Sequence, residues 1–274
     1  NFTNAISGSG ALTKSAAGQL TLRGANTYSG KTTISAGTLA LVDGSDIGSS
    51  AVVDVFIGAT LDVTGRADRK FALNNGRTFT GGGNILGALD ALPGSTVLPG
   101  AGVGVLSISE NASLAGLVVM ELNRTNAPNC DRFVVAGSIA ASGTLTVTNV
   151  GAALQAGDSF HLFNMPVNGF AAVNLPMLPS GLVWQNNLGG DGSLTVAPAV
   201  STTPIDITVQ LSAGGLTLSW PEDHTGWRLQ TQTNSLGAGL SAMWFDVPGA
   251  TVTNELTLPI DPARGSVFFR LVYP

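Results

Sequence analysis

Gly18-Gln-Leu-Thr-Leu22 is a glycine followed by a short alternating strand, and this pattern returns along the first half of the chain. Four more copies follow: Gly37-Thr-Leu-Ala-Leu41, Gly58-Ala-Thr-Leu-Asp-Val63, Gly76-Arg-Thr-Phe79 and Gly94-Ser-Thr-Val-Leu98. Successive glycines lie 19, 21, 18 and 18 residues apart. A strand unit that repeats every ~20 residues cannot bury its own apolar face, so the pattern predicts the stacked coils of a β-solenoid.

Turn-rich runs separate these strands at residues 24–30, 43–48 and 81–84. Each run contains glycine with Asn, Asp or Ser, the residues that tolerate a positive φ angle. We therefore expect these runs to form the corners of the coils. No helical periodicity extends over a useful length in this region, which indicates an all-β structure.

Residues 18–41 resemble the autotransporter-associated β-strand repeat. The resemblance lies in the Leu-Thr-Leu strand, the Gly-Ala-Asn-Thr-Tyr-Ser-Gly turn of residues 24–30, the Thr-Thr-Ile strand and the Gly-Thr-Leu strand. It weakens after residue 65. The resemblance implies a secreted bacterial surface protein with a right-handed β-helix.

The predicted fold is all-β, a right-handed β-solenoid (β-helix) followed by a small C-terminal Ig/FnIII-like β-sandwich. Three of the four tryptophans lie near the C-terminus, as expected for the aromatic core of a sandwich. The predicted segments are an N-terminal cap or donated strand (1–10), solenoid repeats (11–110), an irregular continuation or cap (111–197), a linker (198–204) and the sandwich (205–274).

The composition excludes several classes of partner. The 12 basic residues are scattered and the net charge is −5, which excludes a nucleic-acid-binding surface. No apolar run approaches the ~20 residues that span a bilayer, so we expect no membrane span. Charged residues make up only 11% of the chain, and such a weakly self-repelling surface favours contact with other copies.

Cys130 is the single cysteine, so no disulfide can form within the chain. We interpret it as a small buried hydrophobic residue. A disulfide between subunits stays open as the alternative.

Candidate chemistry is sparse, and we assign no catalytic residue, metal ligand or cofactor. His161 and His224 lie in different predicted segments, and neither has sequence neighbours that indicate a metal site or a catalytic triad. The densest charged patch consists of Asp54, Asp62, Arg66, Asp68, Arg69 and Lys70. We interpret this patch as exposed turns, and Asp43 and Asp46 as turn residues that bind no Ca²⁺.

These observations favour a non-enzymatic structural subunit of an extracellular bacterial fibre or surface layer. Copies would assemble head-to-tail through strand or solenoid-end contacts, with Phe2 and Ile6 as interface anchors. The partner would then be the protein itself, as a homopolymer. Two alternatives stay open: a monomeric surface adhesin or stalk that binds extracellular glycans, and a carbohydrate-active β-helix enzyme using Asp54, Asp62 and Asp68.

Overall fold

The computed structural model describes residues 1–212, 215–261, 263 and 265–273. The chain forms two compact units, Asn1–Ala197 and Pro198–Pro274. Apart from two 3-10 turns, Glu222–His224 and Ala250–Val252, the elements of the described residues are β-strands. The prediction of an all-β solenoid followed by a small β module is confirmed. The handedness of the coil stays a prediction.

The strands of the first unit are short, because a coil must turn a corner every few residues. In chain order, its described residues form β1 (Leu12–Lys14), β2 (Gln19–Leu22), β3 (Thr32–Ile34), β4 (Thr38–Asp43), β5 (Val52–Val55), β6 (Thr60–Arg66), β7 (Lys70–Leu73), β8 (Thr78–Thr80), β9 (Asn84–Leu86), β10 (Ala88–Ala91), β11 (Thr96–Leu98), β12 (Val105–Ile108), β13 (Ala112–Leu114), β14 (Leu117–Leu122), β15 (Arg132–Val135), β16 (Ile139–Ala141), β17 (Thr144–Asn149), β18 (Ser159–His161), β19 (Ala172–Asn174), β20 (Leu182–Asn187) and β21 (Ser193–Pro198).

Parallel pairing stacks most of these strands into three sheets. Sheet 1 has the order β1-β3-β5-β8-β11-β14-β17-β19, sheet 2 the order β2-β4-β6-β9-β12-β15, and sheet 3 the order β7-β10-β13-β16. From β5 to β16, successive strands belong to sheets 1, 2 and 3 in turn, whereas the coils before β5 have strands in sheets 1 and 2 only. Each coil therefore hydrogen-bonds to the coil before it and the coil after it.

Stacking places like residues above one another in the core. In sheet 2 the register pairs Leu20 with Leu39, Leu39 with Leu61, Leu61 with Ile85 and Ile85 with Ile108. From Leu39 to Ile108 these side chains are at most 2% exposed. Alternate residues along each strand face outward, which explains the period-two pattern of the sequence.

The five glycine-led stretches do not all enter the same sheet. The stretches after Gly18, Gly37 and Gly58 enter sheet 2, but those after Gly76 and Gly94 enter sheet 1 as β8 and β11. The insertion of β7 as a third strand lengthens the coil, so Leu61 pairs with Ile85, 24 residues on. The same turn chemistry opens strands in both sheets, and it therefore does not identify the sheet.

Parallel stacking continues past residue 110 with longer coils. Val118 pairs with Leu145 and Leu145 with Val173, intervals of 27 and 28 residues. The chain then leaves the parallel pattern and forms a small sheet of the order β18-β21-β20, in which β18 and β21 are antiparallel.

The C-terminal end of the solenoid is closed by buried aromatic residues. Phe163 stacks on Phe133 at 5.7 Å between ring centroids and contacts Phe170 at 6.0 Å. The Asn164 side chain accepts a hydrogen bond from the Val135 N–H at 3.0 Å and donates one to the Val135 carbonyl at 3.0 Å. This amide replaces a further strand at the end of sheet 2.

The second unit consists of two small sheets of the described residues. Its strands are β22 (Thr208–Ser212), β23 (Gly215–Ser219), β24 (Arg228–Asn234), β25 (Phe245–Asp246), β26 (Glu255–Leu258) and β27 (Ser266–Val272). Antiparallel pairing gives sheet 4, β22-β23-β26, and sheet 5, β25-β24-β27. Leu218 and Trp220 from one sheet and Leu229 from the other share a single buried core.

The segment 198–204, which we predicted to be a linker, lies within this second unit. The Ser201 N–H donates to the Asp223 carbonyl at 2.7 Å, and the Trp227 Nε1–H donates to the Ser201 carbonyl at 2.8 Å. The backbone of residue 201 is therefore hydrogen-bonded to the module that follows it.

We predict that Leu61→Ala lowers the free energy of unfolding of the solenoid by about 2–5 kcal/mol, because the side chain is fully buried between two coils. Leu86→Ala in the next strand of sheet 2 is the matched control, because Leu86 is 40% exposed. Urea unfolding followed by far-UV circular dichroism measures both. Equal shifts of the two midpoints would contradict the core assignment.

Candidate functional site

Residues 1–10 lie along the first coil as an additional partial rung. Phe2 forms a parallel bridge with Leu22. Four backbone hydrogen bonds hold the segment: Phe2 N–H to Thr21 O (2.9 Å), Arg23 N–H to Phe2 O (2.9 Å), Thr27 N–H to Ile6 O (2.9 Å) and Ser29 N–H to Gly8 O (3.0 Å). The segment uses one of its edges to pair with its own solenoid.

Two glycines of the Gly-Ala-Asn-Thr-Tyr-Ser-Gly run permit this close approach. A Cβ on Gly24 would lie 2.5 Å from the Ala5 nitrogen, and a Cβ on Gly30 would lie 2.3 Å from the Gly10 oxygen. Neither glycine has a positive φ, so the expectation of positive-φ corners is wrong for residues 24–30. The missing side chains provide space for the N-terminal segment.

Asn26 joins three segments of the chain from a buried position, with 4% of its surface exposed. Its Oδ1 accepts a hydrogen bond from the Ile6 N–H at 3.0 Å. Its Nδ2 donates to the Gly24 carbonyl at 2.8 Å and to the Asp46 carbonyl at 3.1 Å. A buried side-chain amide that is satisfied in this way fixes the relative position of the first coils.

Tyr28 belongs to a second buried polar network in the same run. Its hydroxyl lies 2.6 Å from Thr32 Oγ1, and Thr32 Oγ1 donates to Ser50 Oγ at 3.0 Å. Burial raises the pKa of Tyr28. The sequence analysis predicted only a corner at residues 24–30. The polar residues of this run were the feature from which the buried hydrogen bonds could have been predicted.

Residues 1–10 cover the outer edge of the first coil only in part. Phe2 is 55% exposed, and Ile6, Leu12 and Leu20 are only partly buried against the core. In the part of the chain that the structure describes, β1 and β2 are the terminal strands of their sheets. The segment carries no charged side chain before Lys14. Unpaired edges with apolar and uncharged side chains can pair with another strand.

Lys14 does not protect this edge, because its side chain is buried. The residue is 7% exposed, and its Nζ donates to the carbonyls of Ala16 and Ala36, the latter at 3.0 Å. Outward lysines are a common device against unwanted strand pairing. Here the ammonium group instead satisfies turn carbonyls of the first two coils.

The carboxylates of the charged patch do not converge. Asp54 in sheet 1 pairs with Lys31 at 2.6 Å, whereas Asp62 in sheet 2 accepts hydrogen bonds from the Thr64 hydroxyl and N–H at 2.6 and 2.9 Å. Arg66 binds Asp68 at 3.0 Å and holds the pKa of that carboxyl below its usual value. Each predicted catalytic carboxylate thus has its own local partner.

Arg69 and Lys70 complete the patch without joining these carboxylates. The Arg69 guanidinium reaches the Glu110 carboxylate in a later coil. Lys70 begins β7, and its N–H donates to Asp68 at 3.2 Å. The patch therefore consists of exposed contacts along and between coils.

Asp43 and Asp46 also serve different partners. Asp43 lies 2.7 Å from the Arg23 guanidinium, and Asp46 accepts the N–H groups of Ile47 and Gly48 at 2.8 and 3.1 Å. Within the described ranges, no three His, Cys, Asp or Glu side chains are grouped as a metal site requires.

His161 is brought near a serine and an aspartate that the sequence did not connect to it. The antiparallel register pairs His161 with Ser193, and His161 Nε2 lies 3.9 Å from Asp191. However, the Ser193 hydroxyl donates to Asp191 at 2.6 Å. A catalytic triad needs the imidazole between the hydroxyl and the carboxylate. Here the carboxylate occupies that middle position, as in a side-chain-stabilised turn.

His224 is buried and has two hydrogen-bond acceptors. Its Nδ1 lies 2.6 Å from an Asp223 carboxylate oxygen, and its Nε2 lies 2.7 Å from the Thr203 carbonyl oxygen. Both ring nitrogens must carry a proton to donate to these two acceptors, so the geometry selects the imidazolium. The contact with the Thr203 carbonyl is the main cause that raises the pKa of His224.

Cys130 lies in the solenoid core and is 1% exposed. Burial raises the pKa of its thiol to about 12. A disulfide requires an accessible thiolate, so this position does not favour a disulfide between subunits.

Asp131, next to this cysteine, is a buried carboxylate that the sequence analysis missed. It accepts the N–H groups of Gly104 at 2.6 Å and Glu121 at 2.7 Å, and burial raises its pKa to about 6. It joins the loop before β15 to the adjacent coil.

Comparison with known proteins agrees with the repeat. A family model described as the passenger-associated-transport-repeat matches residues 12–41, which contain β1 to β3 and most of β4. The match confirms the resemblance to the autotransporter-associated repeat. An "Extracellular serine protease" of Serratia marcescens is 35% identical over 112 residues, which are 41% of this chain and 8% of that protein. No solved structure matches the chain.

We predict that Gly24→Ala loosens residues 1–10 and leaves the coils beneath them intact, because the new Cβ would collide with the Ala5 backbone. Amide hydrogen exchange should accelerate at Phe2, Thr27 and Ser29. Gly44→Ala is the matched control, because a Cβ there meets no atom within 4 Å. Unchanged exchange in the Gly24 variant would show that the segment does not depend on this close approach.

We predict that the second unit loses stability as pH rises through the raised pKa of His224. The charged form contributes fully below the ordinary value of 6.5 and is lost above the folded-state pKa. NMR of the imidazole nitrogens together with thermal unfolding measures both quantities. His224→Gln should remove this pH dependence, and His161→Gln, which alters an exposed histidine, should retain it. A His224 midpoint below 6.5 would contradict the imidazolium assignment.

Proposed function

We propose that this chain, whose residues 12–41 form a passenger-type β-helix repeat, is a non-enzymatic structural subunit of an extracellular bacterial fibre or surface layer. The observation that carries the proposal is the segment of residues 1–10, which pairs along one edge with the first coil, carries no charged side chain and leaves Phe2 55% exposed.

The repeat supports the assignment of this chain as a secreted surface β-solenoid. The name of the Serratia marcescens relative, which describes an extracellular protein, agrees with it. The low content of charged residues, 11%, suits a surface that contacts other copies.

The proposal includes self-assembly of copies of this chain through two different surfaces. A contact between unlike surfaces of two copies does not close on itself and generates an open filament. At the C-terminal coil end phenylalanines cover the core, and among the described residues β16 and β19 are terminal strands of sheets 3 and 1. The proposal has the N-terminal segment meet another surface of the next copy, with Phe2 and Ile6 as its apolar anchors.

The side-chain chemistry supports a structural role over catalysis. The carboxylates Asp54, Asp62 and Asp68 bind separate partners on different sheets. In the His161 group the aspartate, not the histidine, accepts the hydrogen bond that the serine hydroxyl donates. The protease activity named for the relative belongs to a protein of which this alignment covers 8%.

We predict that the purified protein forms filaments in electron micrographs and that its sedimentation depends on concentration. Replacing Phe2 and Ile6 together by Ser should weaken association at least tenfold, because each buried side chain contributes about 1.5–3 kcal/mol. Met177→Ser is the control, since Met177 is 97% exposed and lies outside the segment. Monodisperse monomers of the unmodified protein at high concentration would refute the proposal, and selective binding on a glycan array would favour the adhesin.

A further inference from the structure

The sandwich of the second unit leaves part of its inner face uncovered. In β22, Val209 lies opposite Leu218 and Leu211 lies opposite Leu216. Residues directly opposite in an antiparallel pair point to the same face of the sheet. Leu218 is 1% exposed in the core, yet Val209 and Leu211 are 61% and 72% exposed. These two side chains face inward but have no strand above them.

The facing sheet has a free edge at the corresponding place. Among the described residues, β27 pairs with β24 on one side and with no strand on the other. Its side chains Phe269 and Leu271 contribute to the core. The backbone groups of its outer edge are therefore available for one further strand.

A groove connects these two features. Its volume is about 720 Å³, and it is lined by Ile207, Val209, Leu218 and by residues of β27 from Val267 to Leu271. A strand added to the free edge of β27 would lie in this groove, over Val209 and Leu211. Seven-stranded sandwiches are a common architecture, and this unit has six strands in its described residues.

We propose that residues 2–8 of a second copy occupy this groove as the seventh strand. The proposal rests on the self-assembly proposed above and names its acceptor. Two properties of the donor segment match the site. The segment carries no charged side chain, and its apolar Phe2 and Ile6 fall on the same face of an extended strand.

Donation replaces contacts that the segment makes with its own coil. Four backbone hydrogen bonds to the first coil are lost, and a strand ladder with β27 takes their place. Phe2, which is 55% exposed on its own coil, gains an apolar surface in the groove. Exchange of an identical element between copies of one chain is a low-cost route to assembly.

The test uses a fluorescent peptide with the sequence of residues 1–10 and the full chain carrying Phe2→Ser and Ile6→Ser, so that the groove stays free. Fluorescence anisotropy should show saturable binding, with protection of the β27 amides from hydrogen exchange. Val209→Asp in this chain should weaken binding at least about tenfold, because Val209 lines the groove. Leu236→Asp is the matched control, because Leu236 is 85% exposed in the same unit and does not line the groove. Absence of peptide binding, or equal binding to the Val209→Asp chain, would overturn the proposal.

Two further results separate this proposal from the proposed function. Filaments that survive Val209→Asp would preserve assembly and overturn the groove as its acceptor. Peptide binding in the groove by a chain that never assembles would preserve the acceptor and overturn the fibre. Gly24→Ala should promote assembly if the segment is donated, because it releases residues 1–10 from their own coil. A decrease with that variant would show that the N-terminal edge acts while seated on its own coil.

Discussion

Every coil of a parallel solenoid depends on the coil next to it, because its strands have two edges and its core is open above and below. Between neighbours this requirement is met by the paired backbone and by the stacked column of Leu39, Leu61, Ile85 and Ile108. Within the described residues, other elements pack on the first and last coils. Residues 1–10 lie on the first coil, and an antiparallel sheet with buried phenylalanines follows the last.

The C-terminal end is covered in three ways. An antiparallel sheet takes over from the coils, phenylalanines fill the space above the last turn, and the Asn164 amide satisfies the backbone of sheet 2. Residues 1–10 lie on the first coil, and the backbone hydrogen bonds of the described residues pair one edge of this segment with that coil. Gly24, Gly30 and Asn26 are adapted to receive this segment. The repeat motif thus contributes to the seating of a terminal strand as well as to a corner.

The sequence predicted the class of fold well, since period-two alternation and glycine-led turns depend on local geometry. It did not predict the register of coils, because Gly76 and Gly94 open strands of sheet 1 with the same turn chemistry that opens sheet 2. The functions of Gly24 and Asn26 depend on residues about 20 positions away, which local propensity does not report. The uncovered face of β22 was equally hidden, because Val209 and Leu211 alternate as they would in a complete sandwich.

The groove beside β27 lacks a strand, and the segment of residues 1–10 has an edge that does not pair with its own coil. A strand with an unpaired edge and an exposed apolar face is unfavourable in water and is a site for association. Proteins usually reduce such sites with charge, and here residues 1–13 and the inner face of β22 at Val209 and Leu211 have none. In the assembly that we propose, residues 2–8 of one copy supply the strand that the groove of another copy lacks. Because the two surfaces of this contact are unlike, it would repeat from copy to copy without closing.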